Sequence, residues 1–354
     1  MEEAAQKKAR VARVARLQPW VPDGLVEILQ ERNGISNIER FLFSAEKIAS
    51  DPGIAKQAAG VLEKEGIVCI PGALSSSAIA AFKEVFPKPI AKIREFDPQD
   101  TGSRGEKRHS FGGMSSTNSQ LHFPEWHCLV DIPAVLQVLT SYWDSADFAV
   151  AAAGGDLNMA GSRQHQMLHS DLSRNQLLGP KSTAGSGTKA PLIAVNFLIE
   201  EQTQFNGPLQ HIPGTQLLDL HYVPKVNQEP EDWFFSTMCP APAGTAVIRD
   251  VRAWHAGSPN ITTVDRPLPN CEYIAPFVVA DKELMKQHRI SKFPGNSQIS
   301  FEDWEKLPEV ARHLTRLVRA EKGVDVKPDV VYKVLSFAEE CQVAPLFKCC
   351  EQKP

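Results

Sequence analysis

Three potential metal ligands stand in this chain at a spacing that suits strands: His169 and Asp171 in QHQMLHSDLS, and His255 in DVRAWHAGSPN. Arg266 follows in VDRPLP. Side chains of an extended strand alternate between faces, so positions i and i+2 project to the same side. His169 and Asp171 can therefore converge from one strand without backbone strain. His255 has to come from a strand laid alongside, which requires a β-sandwich or barrel. Two imidazoles and one carboxylate can hold one face of an octahedral Fe(II) and leave the other open to a substrate and oxygen. Arg266 adds a rigid fork of donors able to clamp a carboxylate at two points.

The segment PAGTAVIRDVRAWHAG has the strand signature this needs: a Pro/Gly turn, then Thr245, Val247 and Ile248, then the histidine. Gly257, Ser258, Pro259 and Asn260 make the turn before the strand that carries Arg266. An HxD pair alone is common by chance. The pair joined to a distant strand histidine and an arginine shortly after it is a far more specific pattern.

Four further segments carry a family resemblance: LEKEGIVCIPGALS (62–75), QMLHSD (166–171), FNGPLQHIPGTQ (205–216) and DVRAWHAGSPN (250–260), in that order and followed by Arg266. Over roughly residues 60 to 280 the chain resembles the phytanoyl-CoA dioxygenase-like group of Fe(II)/2-oxoglutarate-dependent oxygenases. The resemblance implies a mainly β core, a double-stranded β-helix (jelly roll, cupin-like), flanked by N- and C-terminal helices. It implies one oxygenase domain over 1–354, with a helical region at 1–66, the jelly-roll core at 67–280 and helices at 281–354. His169, Asp171 and His255 become the iron ligands, and Arg266 the partner of the distal carboxylate of 2-oxoglutarate. Gln166 matches a position that touches the co-substrate in related enzymes. One departure is visible: where many members carry Gly-Ser or Gly-Gly after the distal histidine, this chain has Ala256-Gly257-Ser258. Ser258 stays a candidate for the co-substrate carboxylate, displaced by one position.

The implied chemistry uses Fe(II), 2-oxoglutarate and O2 to oxidise a C–H bond of a small organic substrate, with succinate and CO2 as co-products. Hydroxylation, desaturation and cyclisation are all outcomes of such chemistry, and specialised metabolism is the expected setting. Related halogenases replace the carboxylate ligand by a small residue, so Asp171 argues against halogenation. A non-catalytic jelly-roll module that binds a metal or ligand is the alternative class. It has no need of all four residues, and a cupin that uses no keto acid has no task for Arg266.

Composition narrows the partners. A net charge of −4 and a pI near 6.2 offer no basic face to nucleic acid. Seven cysteines, an odd number without CxxC spacing, suggest reduced thiols in a cytoplasmic setting. No apolar run reaches the ~18 residues of a membrane span. The basic stretch KKARVARVARL near the N-terminus has some character of an organelle-targeting segment, but Glu2 and Glu3 and the absence of serine favour a solvated helix. Asn260-Ile261-Thr262 is a glycosylation sequon by pattern, read here as accidental.

Helices are expected at GLVEILQERNG, at DPGIAKQAAGVLEKEG, and through LSSSAIAAFKEVFPKPIAKIREF with breaks at Pro87 and Pro89. Near the C-terminus Ser300 is the expected N-cap of ISFEDWEKL. Residues 100–125 look irregular, and strands are expected from about 146 to 280. Two loops could border a pocket: GPKSTAGSGTKAP (179–191), too poor in packing side chains to be core, and RHSFGGMSS (108–116), where Arg108 could anchor an anionic substrate. Other polar residues have structural readings. His165 packs or meets solvent, His211 and His221 belong to turns, Arg252 pairs with Asp250, and Trp254 forms a wall. Asn196, alone in the apolar run APLIAVNFLIEE, needs a hydrogen bond if buried, and a pocket-facing role is the functional alternative.

Overall fold

A computed structural model describes residues 38–112, 119–164, 166, 169–171, 189–217, 237–238, 240–287 and 299–326. The expectations for the N-terminal segment, for His165 and His221, and for most of 179–191 fall outside these residues. Among the described residues, nine strands form two antiparallel sheets. The large sheet takes the order β1 (Ile67–Ile70), β7 (Ala246–Asp250), β4 (Leu192–Phe197), β9 (Arg266–Ile274), β3 (Ala149–Asn158), β2 (Arg108–Gly112). The small one runs β6 (Thr237–Met238), β5 (Leu209–His211), β8 (His255–Gly257). This is the expected jelly roll.

Alternation along each strand of the large sheet separates two environments. One set of positions, among them Val68, Ile70, Ile193, Val195, Phe197, Ile248, Cys271 and Tyr273, is buried in the main apolar core. The helices Pro52–Glu65 and Pro133–Trp143, which pack on one another, supply Ala55, Ala58, Leu62, Val135, Val138 and Tyr142 to that same core. The helix ends follow their capping signals. Asp51 accepts from the amide of Gly53 ahead of Pro52, and Gly66 ends the helix in the left-handed region at φ 78°. Pro87 opens a second helix, Pro87–Phe96, directly after Ser76–Val85, so the interruption expected there is a change of helix. Ser300 caps Phe301–Glu305 as expected.

The other set of positions falls into cross-strand rows. Arg249, Ala194, Glu272 and Ala152 form one row, and Val247, Asn196, Asn270, Gly154 and Gly112 the next. Leu268, Asp156 and Ser110 follow, and then Arg266, Asn158 and Arg108. From Arg266 to Glu272 the strand covers about 20 Å at ~3.4 Å per residue.

The expectation that residues 100–125 are irregular is corrected at Arg108–Gly112, which form β2. Its sequence RHSFG alternates weakly, and the strand is held by pairing with β3 along its whole length. Among the described residues, no helix is long and apolar enough to cross a membrane, and Cys69, Cys128 and Cys271 are free thiols. Asn260 is fully buried, its amide donating to the carbonyls of Asn158 and Val264, so the sequon is a structural asparagine.

Candidate metal and co-substrate site

β8 brings His255 to the interior, and the backbones of Gln166 and His169 pair with it. His169 and His255 exchange backbone hydrogen bonds of 3.0 and 2.9 Å, and the Asp171 amide donates to the carbonyl of Val251. His169 and Asp171 thus reach one side of a short extended segment, as their i, i+2 spacing requires. Nε2 of His169 is 3.4 Å from Asp171 Oδ1, and Nε2 of His255 is 3.4 Å from Asp171 Oδ2. All three residues offer a ligand atom within 4.8 Å of the others. Adjacent ligand atoms of an octahedral ion at ~2.1 Å stand about 3 Å apart, so the donor set fits one face of such an ion with little movement.

The surroundings set the protonation that a metal needs. Nδ1 of His255 faces the carbonyl of Ala253 at 2.9 Å, which assigns the proton to Nδ1 and leaves Nε2 as a donor atom. Burial, and then the positive charge of Arg249, push the His255 imidazolium down to about 4. Burial raises the Asp171 carboxyl, but His255, Arg249 and the hydrogen bonds from both histidines outweigh it and hold it well below the usual carboxylate range.

Arg249 is a residue the sequence reading missed. From β7 its Nη1 reaches Asp171 Oδ2 at 2.9 Å and His255 Nε2 at 3.1 Å, while Nε reaches Asn196 Oδ1 at 3.4 Å. A positive charge therefore lies against the atoms that would bind a cation, and a metal entering the triad displaces this guanidinium. The signal was present, since Arg249 interrupts an apolar strand run just as Asn196 does.

A cavity of about 240 Å³ opens beside the triad, bordered by Gln166, Asn196, Asn270, Arg249, Asp156 and Glu272 among others. Gln166 is fixed there by its backbone N–H, which donates to Gly257, and by its Oε1, which accepts from the Gly257 amide. Asn196 is buried and borders the cavity, the functional alternative raised for it.

Arg266 lies one same-face position beyond Leu268, outside the residues that border the cavity. It is 4% exposed, and neither Nε nor Nη1 has a hydrogen-bond partner among the described residues. Burial lowers it to about 10, with Asp156 acting the other way. A buried guanidinium without donors satisfied is costly, and a carboxylate from a ligand relieves that cost. This is the feature of the structure that fits a dicarboxylate co-substrate.

Arg108, expected as a loop anchor for an anionic substrate, sits instead on β2 with Nη1 and Nη2 committed to backbone carbonyls. Nη1 donates to the carbonyl of Gly257 at 3.1 Å and Nη2 to that of Ser258 at 2.5 Å. A Cβ on Gly257 would stand 2.9 Å from Cζ of Arg108, so the flat guanidinium needs glycine beneath it. Ser258 is buried, and its carbonyl also accepts from Asn158 at 2.7 Å; it does not border the cavity. His211 is paired in register with His255 but turns Nε2 to the carbonyl of Glu65, and burial pushes it down to about 3. Its structural reading stands. So does that of Arg252, whose Nη2 lies 2.6 Å from Asp250 Oδ2, and that of Trp254, which packs on Ile212 and Ala256.

Residues 62–268, more than half of the chain, match the phytanoyl-CoA dioxygenase (PhyH) family, and the chain belongs to that family. It is accordingly an oxidoreductase of the Fe(II)/2-oxoglutarate-dependent class. The chain is also similar to several solved structures. A non-heme alpha-ketoglutarate-dependent carbocyclase, SnoK from nogalamycin biosynthesis, is 16% identical, with 62% of this chain and 83% of that one covered and a TM-score of 0.45. EctD from S. alaskensis, solved with 2-oxoglutarate and 5-hydroxyectoine, is 16% identical, with coverages of 61% and 74% and a TM-score of 0.46. The epimerase SnoN, solved with Fe3+, alpha-ketoglutarate and nogalamycin RO, is 15% identical, with coverages of 64% and 85% and a TM-score of 0.44. The family membership rests on the sequence match alone.

Proposed function

We propose that this protein oxidises a C–H bond of a small organic molecule, with His169, Asp171 and His255 holding Fe(II) and Arg266 holding the far carboxylate of 2-oxoglutarate. The unpaired, buried guanidinium of Arg266 carries this reading, because a non-catalytic jelly roll gives it no task. Bound iron with its keto acid supplies the oxidising power, releasing succinate and CO2. The chain supplies position. Arg266 sets how deep the co-substrate lies, and Gln166 is locked by its two bonds to Gly257. Asn196 holds Arg249 at one edge of the cavity, and the cavity's small volume limits the water that can share it. Ser258 acts through its carbonyl, as part of the seam with Arg108 and Asn158. The product is a hydroxylated molecule, or a desaturated or cyclised one, and free thiols suit a reducing, cytoplasmic setting.

The test is anaerobic titration of the metal-free protein with Fe(II) and 2-oxoglutarate, followed by the visible charge-transfer absorption of the chelate. Wild type gives the band, His255→Ala loses it, and Arg266→Ala needs much more 2-oxoglutarate to reach it. A correctly folded wild type without the band overturns the assignment of these residues.

A further inference from the structure

The mechanism above gives no work to two carboxylates that border the cavity, Asp156, one row from Arg266, and Glu272. Glu272 lies on β9 three same-face positions from Arg266, in the row that also holds Arg249, and it borders the cavity beside the triad. Its neighbours across the sheet are Ala194 on one side and Ala152 on the other, so no sheet side chain covers it. No described residue gives its carboxylate a hydrogen bond or an ion pair. Arg249, in the same row, directs Nη1 to Asp171 and His255 and Nε to Asn196, and Arg104 also borders the cavity. Burial, and then the charge of Asp171, push Glu272 up to about 7 against the opposing pull of both arginines. Leu192 and Val251 add apolar surface to the same cavity.

We propose that Glu272 anchors the substrate, and that the substrate is a small molecule bearing a protonated amine, its ammonium on Glu272 and its aliphatic part turned toward His169, Asp171 and His255. This rests on the oxygenase reading of the same site. Glu272 is half-buried on the cavity wall with no donor of its own, and an ammonium supplies both hydrogen bonds and countercharge. The cavity of about 240 Å³ has to serve the co-substrate as well, which favours a small amine over a larger molecule.

The experiment uses the protein loaded with Fe(II) and 2-oxoglutarate without oxygen, and matched probes: hexylamine against hexanol, cyclohexylamine against cyclohexanol, and propionyl-CoA. Binding is read as perturbation of the chelate band, and admission of oxygen then reads stimulated succinate release. In wild type each amine binds at least about tenfold more tightly than its neutral match, the factor a charge-assisted hydrogen bond brings. In Glu272→Gln the members of each pair come together. Equal binding within the pairs in wild type, tighter binding of propionyl-CoA, binding of none of the probes, or a preference unchanged in Glu272→Gln overturns the proposal. Wild type alone decides it should the variant fail to fold. A missing chelate band removes the oxygenase reading itself, whereas a band without charge preference removes the anchor and leaves that reading standing.

Discussion

The two faces of the large sheet share every strand and differ in almost everything else. On β9, Cys271 and Tyr273 face the helices and are fully buried, the tyrosine hydroxyl donating to the carbonyls of Leu129 and Val130. Asn270 and Glu272, one residue out of phase, border the cavity, and Arg266 lies on the same face just beyond it. Trp126 closes the outer face, its Nε1 donating to the Gly154 carbonyl at 2.8 Å. On the outer face the tyrosine and tryptophan find backbone acceptors; on the inner face Arg266 lacks partners for Nε and Nη1, and Glu272 lacks a donor. Stability is built on one face and chemical need is left on the other, so substitutions should separate by face more than by strand.

The separation is sharpest at His255→Ala, which should reduce substrate-dependent succinate release to background while the urea midpoint stays near that of the metal-free wild type. A large loss of stability there would show that the inner face also holds the fold. Trp126→Ala should cost about 3–5 kcal/mol in urea unfolding, the usual range for emptying a core aromatic site. The folded fraction should still form the chelate band. Arg266→Ala should weaken 2-oxoglutarate binding about ten- to a hundredfold, as expected for a charged hydrogen-bonding partner. It should also leave the protein no less stable, since it removes an uncompensated charge.

The smallest effect is a pH signature. In the metal-free protein Glu272 titrates near 7 when folded and near its ordinary carboxyl value of 4.5 when unfolded. The folded state therefore binds more protons between those values, and this residue subtracts stability as pH rises through that window. Glu272→Gln should melt progressively above wild type from pH 4.5 to 7, with a constant difference beyond. The opposite trend would mean that the carboxylate is paired. His255, lowered to about 4, acts in the reverse sense, losing stability as pH falls from 6.5 through 4, and it is common to both proteins.

Much of the inner face was legible because metal chemistry restricts residue types. His169, Asp171 and His255 converge as their spacing requires, and Arg266 shares the inner face of the sheet that borders their cavity. Asn196 could be suspected because a lone amide in an apolar run has to be satisfied. Arg249 sent the same signal and went unread, since the adjoining Asp250 and Arg252 made it look like one more surface charge. Glu272 could not be found this way. NCEYIAP alternates as any half-buried strand does, and nothing in it tells solvent from a cavity. β2 was hidden for a related reason: its extended form comes from β3 rather than from its own side chains. Arg108 followed with it, taken for a ligand anchor when its Nη1 and Nη2 go to the backbone carbonyls of Gly257, Ser258 and Gln164.

The contact between Arg108 and Gly257 couples two positions that lie 149 residues apart in the sequence. A side chain at 257 would press on the guanidinium, which would have to swing away from the carbonyls of Gly257 and Ser258 to make room. The cost of a substitution at either position therefore depends on what stands at the other, and the two are expected to be non-additive.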